Sequence, residues 1–196
     1  MQIYGVDYLE VHSPVVRLET LRVLSTLAAV WNYETHQMDV TIAFLNGKID
    51  VEVFMKQAEG FEVQGKEDWV CHLLKSLYGL KQAHRIWFQL LKSFLLELGF
   101  TMLKSEGCVA VKVIDNQLVF IPLYVDDMIL FAPTMQLIKD MKSCKTPGTP
   151  DLKLTKAMCA MDADESVVKC LENGVMECSE RCGSPMWQLA GNAGRE

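Results

Sequence analysis

The sequence predicts an α+β domain in which an antiparallel sheet packs on helices, and three observations carry that expectation. Residues 83–98, "AHRIWFQLLKSFLLEL", place Ile86, Trp87, Leu90, Leu91, Phe94, Leu95 and Leu98 on one helical stripe. Residues 108–125 hold two strand-like runs, "CVAVKVI" and "LVFIPLYV", on either side of the turn "DNQ". A third apolar run, "MILFA", follows almost at once. Strands joined by such short turns must be antiparallel, because a parallel pair needs a long crossover. Helices mixed with antiparallel strands give the α+β class.

The remaining elements follow in chain order. Residues 20–32 place Leu21, Leu24, Leu27, Ala28 and Trp31 on one helical face. "THQMDV" reads as a short strand, and "TIAFLNG" as a tight turn or short helix ending at Gly47. "VEVFMK" alternates as a strand does, "EGFEVQGKED" is a loop, and "WVCHLLKS" is a strand. Gly99 stops the helix over 83–98. "MQLIKDMK" is a short helix. From Ser143 the texture changes to the turn-rich "SCKTPGTPDLKLTK", and residues 157–196 hold no sustained strand pattern. The expected organisation is therefore one domain over 1–142 and an irregular, degenerate tail over 143–196.

Composition narrows the class. The chain has 196 residues, half of them hydrophobic, enough for a packed core. Its formal charge of −6 gives no general attraction to nucleic acid, so any such affinity must be local. No apolar run reaches the length of a spanning helix, and no membrane partner is expected. The N-terminus lacks the basic start and apolar run of a signal peptide, which predicts a cytoplasmic or nuclear rather than secreted protein. The seven cysteines are an odd set with no disulfide framework, so reduced thiols are expected; those of the tail, Cys159, Cys170, Cys178 and Cys182, form no CxxC pair and have no nearby histidine, so no zinc site is expected there. His12, His36, His72 and His84 form no ligand set either.

"LYVDDMILFA", residues 123–132, sets two adjacent carboxylates inside a strongly apolar stretch. An Asp–Asp dipeptide between strands is most often a solvated hairpin turn. Here both flanking strands look buried, so the turn, expected at Asp126–Asp127, sits on a core surface. Carboxylates held there gain most from a divalent cation, and hard oxygen ligands suit Mg²⁺. Asp39, in "HQMDVTIAFLNG", would supply a third carboxylate, although an Asp at a strand end is usually a cap.

"YVDD" preceded by "IPL", "QMDVTIAFLNG" and "VCHLLKSLYGLKQAHRIWF" together resemble the copia-type reverse transcriptases of long-terminal-repeat retrotransposons. "YGVDYLEVHSPVVRLETLRVL" and "VFMKQAEGF" resemble that family's spacer segments, so the likeness runs from Tyr4 to Met141. It implies a palm-like antiparallel sheet packed on helices, within a partial fingers and palm domain over 1–142. It implies an RNA-directed DNA polymerase, with nucleotidyl transfer to a primer 3′-hydroxyl. Asp39, Asp126 and Asp127 resemble the catalytic aspartates, which hold two Mg²⁺ ions, with Mn²⁺ able to substitute. The Val40 carbonyl is a further candidate ligand. Phe44 occupies the steric-gate position that disfavours a 2′-hydroxyl, although a core role explains it as well. Tyr78, Gly79, Lys81 and Gln82 resemble the segment lining the nucleotide and template pocket, where a solvated loop is the bland alternative. The implied partners are an RNA or DNA template–primer and deoxynucleoside triphosphates.

The chain also departs from the family pattern. A basic "KARLVAKG"-like strand pair is expected before Tyr4, and proline is expected where His84 stands. "KTPGTPDLKLTK" arrives soon after Met141, where further palm and thumb segments are expected. No RNase H, integrase or protease signature occurs. These departures predict a truncated chain and open a second expectation: a non-catalytic retrotransposon relic, with little primer extension by this chain alone.

Overall fold

A computed structural model describes residues 2–40 and 42–143, together with the backbone of 176–179. The described residues form two compact units, 2–48 with 76–143 and 49–75 with 176–179. Among the described residues the fold is mixed α+β, with three helices and a five-stranded antiparallel sheet.

In the first unit, α1 (Leu18–Val30) leads into β1 (Glu34–Asp39), and a 3₁₀ turn covers Ala43–Asn46. Helix α2 (Ala83–Glu97) buries Ala83, Ile86, Trp87, Leu91 and Leu95, the stripe that the apolar spacing predicts. Gly99 ends it at φ +82°, a backbone conformation that few residues but glycine adopt easily. Lys112 Nζ donates to the freed Leu98 carbonyl at 2.7 Å. A two-residue strand, β4 (Thr101–Met102), follows; it is too short to leave a periodic signal.

The sheet order is β1–β7–β6–β5–β4. Strands β5 (Val109–Ile114) and β6 (Gln117–Tyr124) pair from Ile114↔Gln117 to Val109↔Pro122. Their loop is two residues, Asp115 and Asn116, both at positive φ, as a type I′ hairpin requires. Gln117, expected in the turn, is instead the first residue of the strand. Residues Val119–Leu123 of β6 are buried without a break, which explains an apolar run rather than an alternation. Strand β7 (Asp127–Ala132) pairs with β6 at Leu123↔Met128 and at Phe120↔Phe131. Between those pairs the ladder is interrupted, where Pro122 has no N–H to give. Phe120 stacks on Phe131 at 4.8 Å between ring centroids, and Trp87, Phe100, Leu91 and Leu130 complete the core. Helix α3 (Met135–Lys142) is capped by Thr134, whose Oγ1 accepts the Leu137 N–H at 3.4 Å.

In the second unit, β2 (Phe54–Lys56), β3 (Val70–Leu73) and β8 (Met176–Ser179) form a three-stranded antiparallel sheet. Both β2 and β3 are shorter than "VEVFMK" and "WVCHLLKS" lead one to expect. Strand β8 lies in the segment read from sequence as lacking strands, and its four residues are too few for sustained alternation. The rest of that segment lies outside the described residues. Among the described residues, no helix is long and apolar enough to cross a membrane.

Candidate active site

The alternation of β1 buries Met38 and leaves Asp39 exposed at the strand's end. Antiparallel pairing of β1 with β7 then sets Met38 opposite Met128 and Asp39 opposite Asp127. Because side chains alternate with period two, one register step would turn Met38, the one apolar residue of β1, outward. Burial of Met38, Met128 and Leu130 therefore fixes Asp39 beside Asp127. Directly after β1, the Val40 N–H donates to the Asp126 carbonyl at 3.1 Å. The site thus joins Asp39 to Asp126 and Asp127, 87 and 88 positions further along the chain.

The loop between β6 and β7 differs from the expectation of a turn at Asp126–Asp127. Tyr124 pairs with Asp127, so the two loop residues are Val125 and Asp126, and Asp127 opens β7. Val125 sits at φ +59°, while Asp126 is not among the positive-φ residues, the sign pattern of a type II′ turn. Such a turn normally takes glycine first. A β-branched residue there holds strain on the order of 1–3 kcal/mol.

Burial raises the Asp39 carboxyl above its ordinary value of 3.8, and the charges of Asp126 and Asp127 raise it further; the Val40 amide partly offsets this. The three carboxylates therefore act on one another. Gln37, two residues before Asp39, donates its Nε2–H to Asp127 Oδ1 at 3.1 Å. Among the described residues no Lys or Arg makes an ion pair with any of the three aspartates. Nor, among them, does any group of three His, Cys, Asp or Glu side chains gather closely enough to enclose a metal ion. The donors are nevertheless right in kind for Mg²⁺: hard oxygens with uncompensated negative charge.

The 3₁₀ turn and the loop before α2 bring aromatic residues to the same place. Burial raises the Tyr78 phenol, and Asp126 and Asp39 raise it further, so Tyr78 stands within electrostatic reach of both. Its ring packs on Phe44 at 4.5 Å between centroids, and the His84 ring meets Phe44 edge-on at 4.7 Å. Phe44 is only 5% exposed, whereas Tyr78 is 55% exposed. The ring that faces solvent beside the aspartates is thus Tyr78, with Phe44 as its support. Gly79 turns the chain at φ +95°, and a Cβ there would meet nothing within 4 Å. That leaves open space over its backbone.

The two polar residues of this loop are placed differently from one another. Lys81 is exposed, and its N–H donates to Gln2 Oε1 at 2.7 Å. Gln82 is 2% exposed. Its Nε2–H donates to the Asp7 carbonyl at 3.1 Å, and its Oε1 accepts from Gln2 Nε2 at 2.9 Å. Both ends of the Gln82 amide are engaged internally, so it holds the loop rather than reaching outward.

Three residues near the aspartates carry no sequence signal of their role. Gln37 steadies Asp127, and its only hint is its place two positions from Asp39 on the same strand face. His84 stands where the resemblance leads one to expect proline, and it packs on Phe44. Trp87, wholly buried, donates its indole N–H to the Val125 carbonyl at 3.0 Å. Periodicity marks it only as core.

Comparison with known proteins shows the family of the chain. Residues 1–149 match the model of the family described as reverse transcriptase (RNA-dependent DNA polymerase). The Retrovirus-related Pol polyprotein from transposon TNT 1-94 of Nicotiana tabacum is 42% identical over 139 residues, which is 70% of this chain and 10% of that protein. The Retrovirus-related Pol polyprotein from transposon RE2 of Arabidopsis thaliana is 36% identical over 135 residues, 69% of this chain and 9% of that protein. The Transposon Ty1-MR1 Gag-Pol polyprotein of Saccharomyces cerevisiae is 34% identical over 111 residues, 56% of this chain and 6% of that protein. The chain thus spans about a tenth or less of the length of these relatives. No solved structure matches it. The match over most of its length and the named relatives agree: the chain belongs to the reverse transcriptase (RNA-dependent DNA polymerase) family, on its copia-type retrotransposon branch.

Proposed function

We propose that residues 1–142 form a partial fingers and palm domain that catalyses nucleotidyl transfer to a primer 3′-hydroxyl, directed by an RNA template. The observation that carries this reading is the register of β1 against β7, which sets Asp39 opposite Asp127 while Val40 bonds the Asp126 carbonyl. Asp39 and Asp126 are the main ligands for two Mg²⁺ ions, with Asp127 in support and the Val40 carbonyl as a further oxygen donor. Divalent cations held there would polarise the attacking hydroxyl and neutralise the leaving pyrophosphate in an in-line displacement. The chain's own part is electrostatic and positional. The charges of Asp126 and Asp127, which together with partial burial raise the Asp39 carboxyl, contribute a negative field that favours cations. Phe44, at the steric-gate position, underlies Tyr78, and this aromatic pair would limit room for a 2′-hydroxyl where the sugar and base lie. The open backbone at Gly79 allows close approach of a base pair. Exposed Lys81 supplies a positive charge for a phosphate.

A second reading, a non-catalytic relic that keeps the palm core, is favoured by the net charge of −6, which repels template and primer. Primer extension separates the two. A DNA primer on an RNA template is incubated with the chain, deoxynucleoside triphosphates and Mg²⁺ or Mn²⁺. Extension that disappears in Asp126→Asn supports the polymerase. Metal-dependent nucleotide binding without extension supports the relic. Extension that survives Asp126→Asn, or metal-independent nucleotide binding, overturns the assigned site.

A further inference from the structure

The β6–β7 turn holds an unfavourable backbone conformation, and both of its loop carbonyls are gripped from outside the hairpin. Val125 sits at φ +59° although it is β-branched. Strain of this kind persists only where the surroundings over-determine it. Its carbonyl accepts the Trp87 indole N–H at 3.0 Å, from the first turns of α2. The next carbonyl, that of Asp126, accepts the Val40 N–H at 3.1 Å. Trp87 is 0% exposed, so its N–H has no access to water and needs this partner. The Val125 carbonyl belongs to the peptide plane that precedes Asp126. Fixing that plane fixes the direction in which the Asp126 side chain leaves the backbone, and with it the start of β7 at Asp127.

We propose that Trp87 is a positioning residue, whose indole N–H locks the Val125–Asp126 peptide and so aims Asp126 and Asp127 toward Asp39. It touches neither nucleotide nor metal and acts through the turn alone. A packing role would require the ring, whereas this role requires the N–H. The consequence for metal binding rests on the function proposed above, but the geometric claim does not.

The test uses the 196-residue chain with two variants. Trp87→Phe removes the N–H and part of the ring. Replacement of Trp87 alone by 3-benzothienylalanine, through amber suppression, keeps the bicyclic shape and removes only the N–H. The reporter is amide exchange of Val40, whose bond to Asp126 depends on the turn's form. Loss of one neutral hydrogen bond should speed Val40 exchange about five- to tenfold in both variants. Exchange at Val111 and Phe120, in the body of the sheet, should stay as it is. The Mn²⁺ dissociation constant should rise by a similar factor. Unchanged Val40 exchange in the benzothienyl variant overturns the proposal, as does equal acceleration at Val40, Val111 and Phe120. Faster Val40 exchange with unaltered Mn²⁺ affinity overturns the claim that the turn's form aims the carboxylates. Wild-type protein that binds no Mn²⁺ refutes the proposed function instead, and Val40 exchange still decides the positioning claim. If Trp87→Phe does not fold, the benzothienyl variant carries the decision.

Discussion

Replacing Asp39 with asparagine should stabilise the metal-free protein. Asp39 faces Asp127 across the β1–β7 pair, and like charges directly opposite are unfavourable in a sheet. The full Coulomb value does not apply, because Asp39 is exposed and water screens it. The gain should therefore be about 0.5–1 kcal/mol, the upper half of the range for cross-strand pairs. For a chain of this size that corresponds to about 1–4 °C in Tm. The sign with pH follows from the direction of the shift. The folded state holds the Asp39 proton more tightly than the unfolded chain, whose value is near 3.8. Stability contributed by this group therefore falls as pH rises from 3.8 through the raised folded value, and the penalty is fully present at neutral pH. Thermal unfolding in EDTA should show Asp39→Asn above wild type at pH 7.5, with the difference fading as pH falls well below 3.8, where the Asp39 carboxyl is protonated in both folded and unfolded states. A lower Tm for the variant at pH 7.5, or an equal gain at acid pH, would refute the electrostatic reasoning.

Two further outcomes follow from the packing. Gly47→Ala should cost about 1–3 kcal/mol, because a Cβ at Gly47 would collide with the Ile86 side chain between the 3₁₀ turn and α2; an unchanged denaturation midpoint would contradict that packing. Burial pushes the Cys108 thiol up to about 11, and its bond to Glu106 Oε1 at 3.4 Å adds to this. The thiol should stay protonated at pH 8, so Cys108 should resist iodoacetamide in the native protein and react on denaturation, as peptide mapping would show.

Much of the fold was legible because its elements are long and periodic. Helices α2 and α3 and the β5–β6 hairpin carry clear spacing, and "DN" signals the tight turn at Asp115–Asn116. Strands β4 and β8 are too short to have a period. The β6–β7 turn was displaced by one residue for a different reason. Nothing in local sequence announces valine at positive φ, since the conformation is imposed by bonds from Trp87 and Val40. The grouping of Asp39 with Asp126 and Asp127 was likewise invisible to composition and periodicity. It came from the resemblance of "QMDV" and "YVDD" to family motifs, because local pattern does not report contacts between distant segments; that Asp127 is the residue directly opposite Asp39 came only from the strand register. The same limit hid Gln37 and the inward-facing amide of Gln82.

The central claim is that Asp39 and Asp126, brought together by β1 and the β6–β7 turn, form one divalent-cation site. Titration of the chain with Mn²⁺, followed by the electron paramagnetic resonance signal of the free ion, tests it most directly. Asp115→Asn serves as the control, since Asp115 lies in the β5–β6 loop at the opposite end of strand β6. The account predicts saturable binding by wild type and by Asp115→Asn. Asp39→Asn and Asp126→Asn should each weaken it by about tenfold or more, because affinity follows the number of charged ligands. Equal Mn²⁺ affinity in wild type, Asp39→Asn and Asp126→Asn would contradict the claim.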